Sequence, residues 1–294
     1  MDESVALAPD LALLAALRRT GNLTAAAAVV GIPQPTASRR LAALARRLGG
    51  PVTAPAGRGI RLTRAGTLLA EAAERALTAV ETGVRQAREE IEPERGHVVL
   101  GFLHLLGRSL VPRLVRDFRA VRPHTRFSLV QGSRQQMVDS LAAGDLDLAL
   151  VAPPPDEPAF ASAALEQQPL LLSVPAGHRL AGAAKVHVAD LAGESFVQLE
   201  HGYGMRQITD DLCAAAGFTP RVAFEGQESD TVRGLVAAGL GVALLPRFEP
   251  GAPAGVVEVP IDPPVTRTIG LVWSADAPLT PAVRAFRDHV VAQA

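Results

Sequence analysis

The chain has 294 residues, 48% of them hydrophobic and 20% charged, with 29 basic against 30 acidic side chains and a net charge of −1. That length supports a sizeable buried core, and the near-neutral balance excludes a chain coated throughout in one sign of charge. A single cysteine excludes an intrachain disulfide, no signal peptide opens the chain, and the longest apolar run (234–246) is too short to span a bilayer, so a cytoplasmic protein without membrane contact is expected.

In chain order, Leu11, Leu14 and Leu17 mark a first helix that stops near Thr20-Gly21. Residues 22–41 then read as a short Ala-rich helix capped by Asn22 or Thr24, a turn at Gly31, and a second helix opening with Gln34 and Pro35. That is the pattern of a helix-turn-helix, whose second helix enters the DNA major groove. Ala37, Leu41, Leu44 and Leu48 form its apolar stripe, and Arg39 and Arg46 fall nearly opposite. Gln34, Thr36, Ser38 and Arg39 crowd the exposed N-terminal turns: Gln suits adenine, Arg suits guanine, and hydroxyls and guanidinium groups also hold phosphate. The competing reading is a three-helix bundle with a solvated arginine face.

Charge separates the two readings further. Residues 1–66 carry nine arginines against three acids, a net +6, which leaves −7 for the remainder; such asymmetry points to a polyanion partner for the basic segment. Of the 29 basic residues only Lys185 is lysine, a composition bias, so clustering is informative and the choice of Arg is not. Residues 51–66, punctuated by Pro and Gly, read as a hairpin or wing that offers Arg58 and Arg61 to backbone phosphate or the minor groove. Thr63 caps a helix over about 65–92, where Leu69, Ala73, Ala76, Val80, Gly83 and Ala87 keep a near-heptad seam suited to helix-to-helix dimer contact. Glu92-Pro93 ends it, and 94–96 form a hinge.

Residues 11–66 resemble the winged helix-turn-helix of LysR-type transcriptional regulators. The matching elements are the leucine-spaced first helix, Gly21-Asn22-Leu23-Thr24-Ala25-Ala26-Ala27, Gln34-Pro35-x-x-Ser38-Arg39, Leu44-x-x-x-Leu48-Gly49 and Leu62-Thr63-x-Ala65-Gly66. The resemblance continues to the C-terminus. It implies DNA contacts from Gln34, Pro35, Thr36, Ser38 and Arg39, with Thr24 beside them, and a linker helix that dimerises, often within a tetramer. Three positions depart from the pattern: Pro33 replaces the usual Ser, Thr53 the usual aromatic of the wing, and Pro55 the usual Arg. Fewer phosphate contacts are therefore expected, each worth about one unit of the salt-dependence slope.

Beyond the hinge, strands alternate with helices. Expected strands are 98–102, 127–130, 146–151, 170–174, 196–199, 221–224, 242–245, 256–261 and 269–273. Expected helices are 109–121, 135–143, 205–215, 229–238 and 281–291. The alternation implies βαβ units and parallel sheets, with chain crossings near 166–168 and 263–268 giving two lobes. The fold class is therefore α/β: a winged helix-turn-helix (1–64), a linker and dimerisation helix (65–93), and an effector domain (94–294). Lobe I covers about 94–166 and 267–294 and lobe II about 167–266, and the resemblance implies a build like that of periplasmic solute-binding proteins.

Ligands of such sheets sit at strand carboxyl ends and helix N-termini. The candidate residues are His104 and Leu105 after the first strand, Gln131 and Ser133 after the second, His201, Gly202, Tyr203 and Arg206 leading into a helix, and Gln227 and Glu228 leading into another. Arg206 is expected to pair a carboxylate. The family commonly has a hydroxyl near 105; Leu105 and Leu106 here point to a less acidic or more apolar effector.

No catalytic constellation emerges. The seven histidines have no metal-ligand spacing, Cys213 reads as a buried small hydrophobe, Gly239-x-Gly241 as a turn, and Asp145 and Asp147 as strand-edge solvation. The expectation is a regulator that is not an enzyme and needs no cofactor or metal. Its partners are double-stranded promoter DNA, an unidentified small-molecule effector and itself as homodimer or homotetramer, with RNA polymerase a further candidate. The rival is a two-lobed small-molecule-binding protein whose N-terminal helices only mediate assembly.

Overall fold

The structure, a computed structural model, describes residues 3–56, 59–91, 96–249 and 251–294. The chain separates into two compact units, Met1–Ala87 and Arg88–Ala294.

In the first unit, α1 (Glu3–Thr20), α2 (Leu23–Val30) and α3 (Gln34–Arg47) close around Leu13, Leu14, Leu17, Ala26, Ala27, Ala37, Leu41 and Leu44. The alanines of α2 carry almost no bulk, so the helices approach closely and the leucines of α1 and α3 fill the space between them. Burying one such leucine is worth roughly 2–3 kcal/mol. Leu48 leaves the stripe: it caps α3 and is 41% exposed, because the helix ends before it could be covered. Asn22 Oδ1, not Thr24, caps α2, accepting from the amides of Thr24 (2.8 Å) and Ala25 (3.1 Å). Gly31 supplies the turn at φ +71°, where a Cβ would be strained, and its N–H returns to the carbonyls of Ala27 and Ala28.

Strands β1 (Thr53–Ala56) and β2 (Gly59–Leu62) form an antiparallel hairpin, with Thr53 opposite Leu62 and Ala56 opposite Gly59. Helix α4 (Arg64–Ile91) follows; Thr63 Oγ1 accepts the Gly66 amide at 3.1 Å as its cap. Ala70 and Ala73 are fully buried in the three-helix core. Further along the same face the helix is bare, with Val80 and Val84 64% and 45% exposed. The expected seam therefore divides into a part packed on its own domain and a part with no cover in one chain. Of the expected hinge at 94–96, residues 94 and 95 lie outside the described residues.

The second unit is built on one mixed sheet in the order β10–β6–β11–β5–β3–β4, with β9 also on β6. Strand β3 (His97–Leu103) runs parallel to β4 (Arg126–Gly132) and β5 (Leu148–Val151). Helices α5 (Leu110–Val121) and α9 (Pro281–Val291) cover one face through Phe118, Val283 and Phe286; α6 (Arg134–Ala143) covers the other through Met137 and Leu141. Strand β6 (Phe160–Pro175) is sixteen residues long: its first part pairs with β11 (Thr266–Ser274), its second with β9 (Ala243–Pro246) and β10 (Val256–Pro260). The chain thus passes between lobes at Gln168-Pro169 and returns at Val265-Thr266. These crossing strands are antiparallel to their neighbours, so the sheets are not wholly parallel. Lobe II adds the parallel pair β7 (Ser195–Leu199) and β8 (Arg221–Gly226), with α7 (Gly204–Ala215) and α8 (Ser229–Ala237) packed on a core around Phe196, Leu172, Val232 and Val236.

Among the described residues no helix is long and apolar enough to cross a membrane, and no group of three His, Cys, Asp or Glu side chains could hold a metal ion.

Candidate nucleic-acid interface and ligand cleft

Helix α3 presents Gln34, Pro35, Ser38 and Arg39 to solvent along its first turns, while Thr36 is half-buried. Arg39 lies along its own helix, Nε 3.4 Å from the Pro35 carbonyl and Nη2 3.3 Å from Thr36 Oγ1, so its guanidinium is held by contacts that a base or phosphate can replace. Pro33 is the N-cap residue and offers no side-chain cap. The positive end of the helix dipole is therefore not masked by a side chain. Thr24 is exposed in the first turn of α2, and Arg61 is exposed on β2 opposite Ala54; Arg58 lies outside the described residues. Not every arginine is available to a partner. Arg18 pairs with Glu74 and Glu71 of α4, and Arg47 pairs with Asp10 at 3.5 Å.

In the second unit the loops at the lobe boundary meet one another directly. Residues His104–Arg108, expected as loop, form a 3-10 turn. The His104 ring stacks on Tyr203 at 6.4 Å between centroids, and its Nδ1 is 3.9 Å from Glu228. Gln131 Nε2 donates to the His104 carbonyl at 3.2 Å. Burial, then the carboxylates of Glu200 and Glu228, push the Tyr203 phenol above its ordinary value. Gln227 Nε2 donates to Glu200 at 3.2 Å, and Glu228 is the N-cap residue of α8.

Two expected contacts are already committed within the protein. Ser133 caps α6, its hydroxyl accepting the Gln136 amide at 3.2 Å, and is 6% exposed. Arg206 is also spent: Nε binds Asp210 at 2.7 Å, Nη1 binds Glu225 and the Leu199 carbonyl, and Nη2 binds His201 Nε2 at 3.0 Å. Burial alone would lower its pKa, but the bonds to Glu225 and Asp210 outweigh that and hold it above the ordinary value. The guanidinium expected to pair a ligand carboxylate is thus held by two protein carboxylates while it lines the cleft beside His201 and Tyr203. Asp147 is likewise no solvated edge, since its Oδ2 accepts the Val99 amide at 2.7 Å.

The lobes also touch through backbone. Gln135 donates its N–H to the Gly202 carbonyl at 3.0 Å, and a Cβ on Gly204 would stand 2.1 Å from the Ala152 carbonyl oxygen, so only glycine fits there. On the other side of the 3-10 turn, Arg108 Nη1 reaches across to Asp230 at 2.9 Å and stacks on Phe248 at 4.6 Å. Two cavities flank these contacts. One of about 300 Å³ takes in His201, Gly202, Tyr203 and Arg206 with Arg134 and Gln135. The other, of about 440 Å³, is lined by Leu105, Leu106, Leu110, Gln168, Arg247 and Phe248 among others. His104, Gln131, Ser133, Gln227 and Glu228 line neither. Arg108, Asp230, Arg247 and Phe248 carry no signal in the sequence, because each gains its place only when the lobes come together.

Residues 9–67 match the family described as bacterial regulatory helix-turn-helix protein, lysR family, and residues 92–294 match the LysR substrate binding domain. The chain is 33% identical to the uncharacterized HTH-type transcriptional regulator YybE of Bacillus subtilis (strain 168) over 276 residues, 94% of each chain. It is 34% identical to the transcriptional dual regulator GltC of the same organism over 258 residues, 86% of each. Among solved structures, the effector binding domain of QuiR in complex with shikimate is similar, with TM-score 0.64 and 28% identity over 67% of this chain and 96% of that one.

Proposed function

Because the chain belongs to the LysR family of bacterial transcriptional regulators, we propose that it reads promoter DNA through α3 and its wing under the control of a small molecule held between the two lobes. The observation that carries this reading is the exposed row Gln34, Ser38 and Arg39 on an uncapped helix N-terminus, in a basic unit that continues into α4. Gln34 and Arg39 are assigned to base edges, Pro35, Thr36 and Ser38 to positioning on the backbone, and Thr24, Arg58 and Arg61 to phosphate. Residues 1–64 form the reader, 65–93 the linker and dimer contact, and 94–294 the effector domain. Dimerisation through the bare part of α4 would present two readers to two half-sites.

For the effector, lobe closure is the natural lever. A ligand among His104, Leu105, Gln131, His201, Gly202, Tyr203, Gln227 and Glu228 bridges lobes that already touch, and shifts the population toward the closed form by its differential affinity. The likeness to a domain that holds shikimate supports a small polar ligand. Such a regulator works beside the chromosome in the cytoplasm, with RNA polymerase as its neighbour at a promoter. Residue chemistry gives no support to catalysis.

Selection from a random pool of duplex DNA tests the reading. It should enrich a two-half-site sequence, and Arg39→Ala should weaken binding to it by about 1–3 kcal/mol and relax the base preference at one position of each half-site. Enrichment of no sequence, or an Arg39→Ala variant that binds unchanged, would support the rival in which the N-terminal helices serve assembly alone.

A further inference from the structure

The 440 Å³ cavity at the strand crossings lies apart from most of the expected effector loops, sharing only Leu105 with them. Its walls are mixed: Leu105, Leu106 and Leu110 from lobe I, Ile269 from β11 and the Phe248 ring from lobe II give an apolar side, and Arg108, Ser109 and Gln168 stand among them. Its size falls within the range of small-molecule sites.

Beneath it the protein holds an unusual buried charge. Arg267 is 5% exposed, yet its hydrogen-bond partner is neutral: Nε and Nη2 both donate to Gln168 Oε1, at 2.8 and 2.6 Å. Arg233, 1% exposed, gives Nη2 to the Pro246 carbonyl, while its Nε and Nη1 have no hydrogen-bond acceptor among the described residues. Arg233 stacks on the same Phe248 ring that walls the cavity. The buried acid facing Arg233 is Glu258, at 4.0 Å, whose carboxyl burial pushes above its ordinary value, and the acid acting on Arg267 is the exposed Glu166. Asp230, the other acid near Arg233 at 3.6 Å, is half in water and shared with Arg108. Burial and then the neighbouring Arg233 lower Arg267 to about 10. Two buried cations against one reluctant buried anion leave an electropositive floor, and buried charges are normally paired.

The floor reaches the cavity through Gln168. Because Arg267 takes Oε1, the amide is turned so that Nε2, a donor, is its remaining end on a residue that lines the cavity. Arg247 adds an exposed guanidinium at the rim. Glu166 and Glu249 also line the rim, and both are exposed to water.

We propose that this cavity is a second ligand site, for a small monocarboxylate with an apolar body, its carboxylate on Arg247 and the Gln168 amide and its body against Leu106, Leu110, Ile269 and Phe248. Such a ligand would touch both lobes beside the Arg108–Asp230 bridge and so favour their closure. The site stands whether or not the loops around Tyr203 and Gln227 bind an effector.

Thermal unfolding of the full chain tests it, with a panel of four- to eight-carbon alkanoates, phenylacetate and 3-phenylpropanoate, each beside its neutral amide. At least one acid should raise the Tm in a saturable way, with its amide at least tenfold weaker. Arg247→Ala, an exposed substitution, should weaken that acid by about 10- to 100-fold, the range of a charge-assisted hydrogen bond. Tyr203→Phe and Gln227→Ala should leave the response intact, which separates this site from the expected effector loops. Acids that act no better than their amides, or an Arg247→Ala variant that responds like the parent, would overturn the proposal. A response lost in Tyr203→Phe and kept in Arg247→Ala would place the acid at the loops and overturn it as well.

Discussion

Single side chains decide what the second unit can respond to. Cys213, the one cysteine, is fully buried in α7, and burial followed by Asp210 raises its thiol from 9.0 to about 11. A thiol so placed is a poor nucleophile and cannot pair within the chain. The raised value has a consequence for stability. The folded state keeps the proton that the unfolded state loses, so stability is full below about pH 9 and falls as pH rises toward 11. At 1.36 kcal/mol for each tenfold change in proton affinity, the loss is bounded at about 2.7 kcal/mol. Other groups titrate in the same window, Arg267 among them, so the comparison is with Cys213→Ala. Denaturant unfolding of the parent should lose stability between pH 9 and 11 relative to that variant; parallel curves would show that the thiol ionises freely.

At the scale of elements, α4 makes a prediction that α1 to α3 do not. Ala73, Val80, Val84 and Ala87 share one face within an arc of about 60° at 100° per residue. The structure buries Ala73 on its own core and leaves the two valines and Ala87 in water. Val80→Glu with Val84→Glu should therefore leave the monomer's fold untouched and shift sedimentation from dimer toward monomer. Removing two part-exposed valines from an interface costs on the order of 2–4 kcal/mol, or about 30-fold or more in dissociation constant. An unchanged sedimentation profile would remove α4 from the interface.

The same elements show what the sequence made legible. Helices with a clear apolar face and a recognisable cap appear within one or two residues of expectation, as at Pro281–Val291. The first part of β6 escapes, because Phe160 to Gln168 is rich in Ala, Glu and Gln. Its period-two signal, carried by small alanines, is too weak to read until β11 lies beside it. The recognition row on α3 is local and so readable. The charges around Phe248 are not, since Arg108, Arg233 and Arg247 come from three separate segments. One clue existed: Arg233 sits between Val232 and Val236 on the buried side of α8, where a solvated arginine has no place.

For the whole molecule, the question is how an event between the lobes reaches DNA, and thermodynamics constrains the answer before any path is known. If an effector changes DNA affinity by some factor, DNA must change effector affinity by the same factor, commonly about 5- to 150-fold. Lobe closure is the step that carries the coupling in our reading, and Gly204 is where it can be blocked. Its α-carbon packs so closely on the Ala152 carbonyl that an added methyl at 2.1 Å must push α7 away from lobe I. The neighbouring Gln135–Gly202 hydrogen bond would open with it. The exposed Arg108–Asp230 pair, 45% and 53% accessible, is too weakly coupled to hold the lobes together alone, being worth at most about 1 kcal/mol. Gly204→Ala should thus leave DNA affinity in the absence of effector unchanged and bring the coupling factor close to one. Binding isotherms of effector with and without operator DNA, and of DNA with and without effector, give that factor twice. Equal factors in the parent and none in Gly204→Ala are expected; full coupling retained in the variant would mean that the signal does not pass through closure at α7.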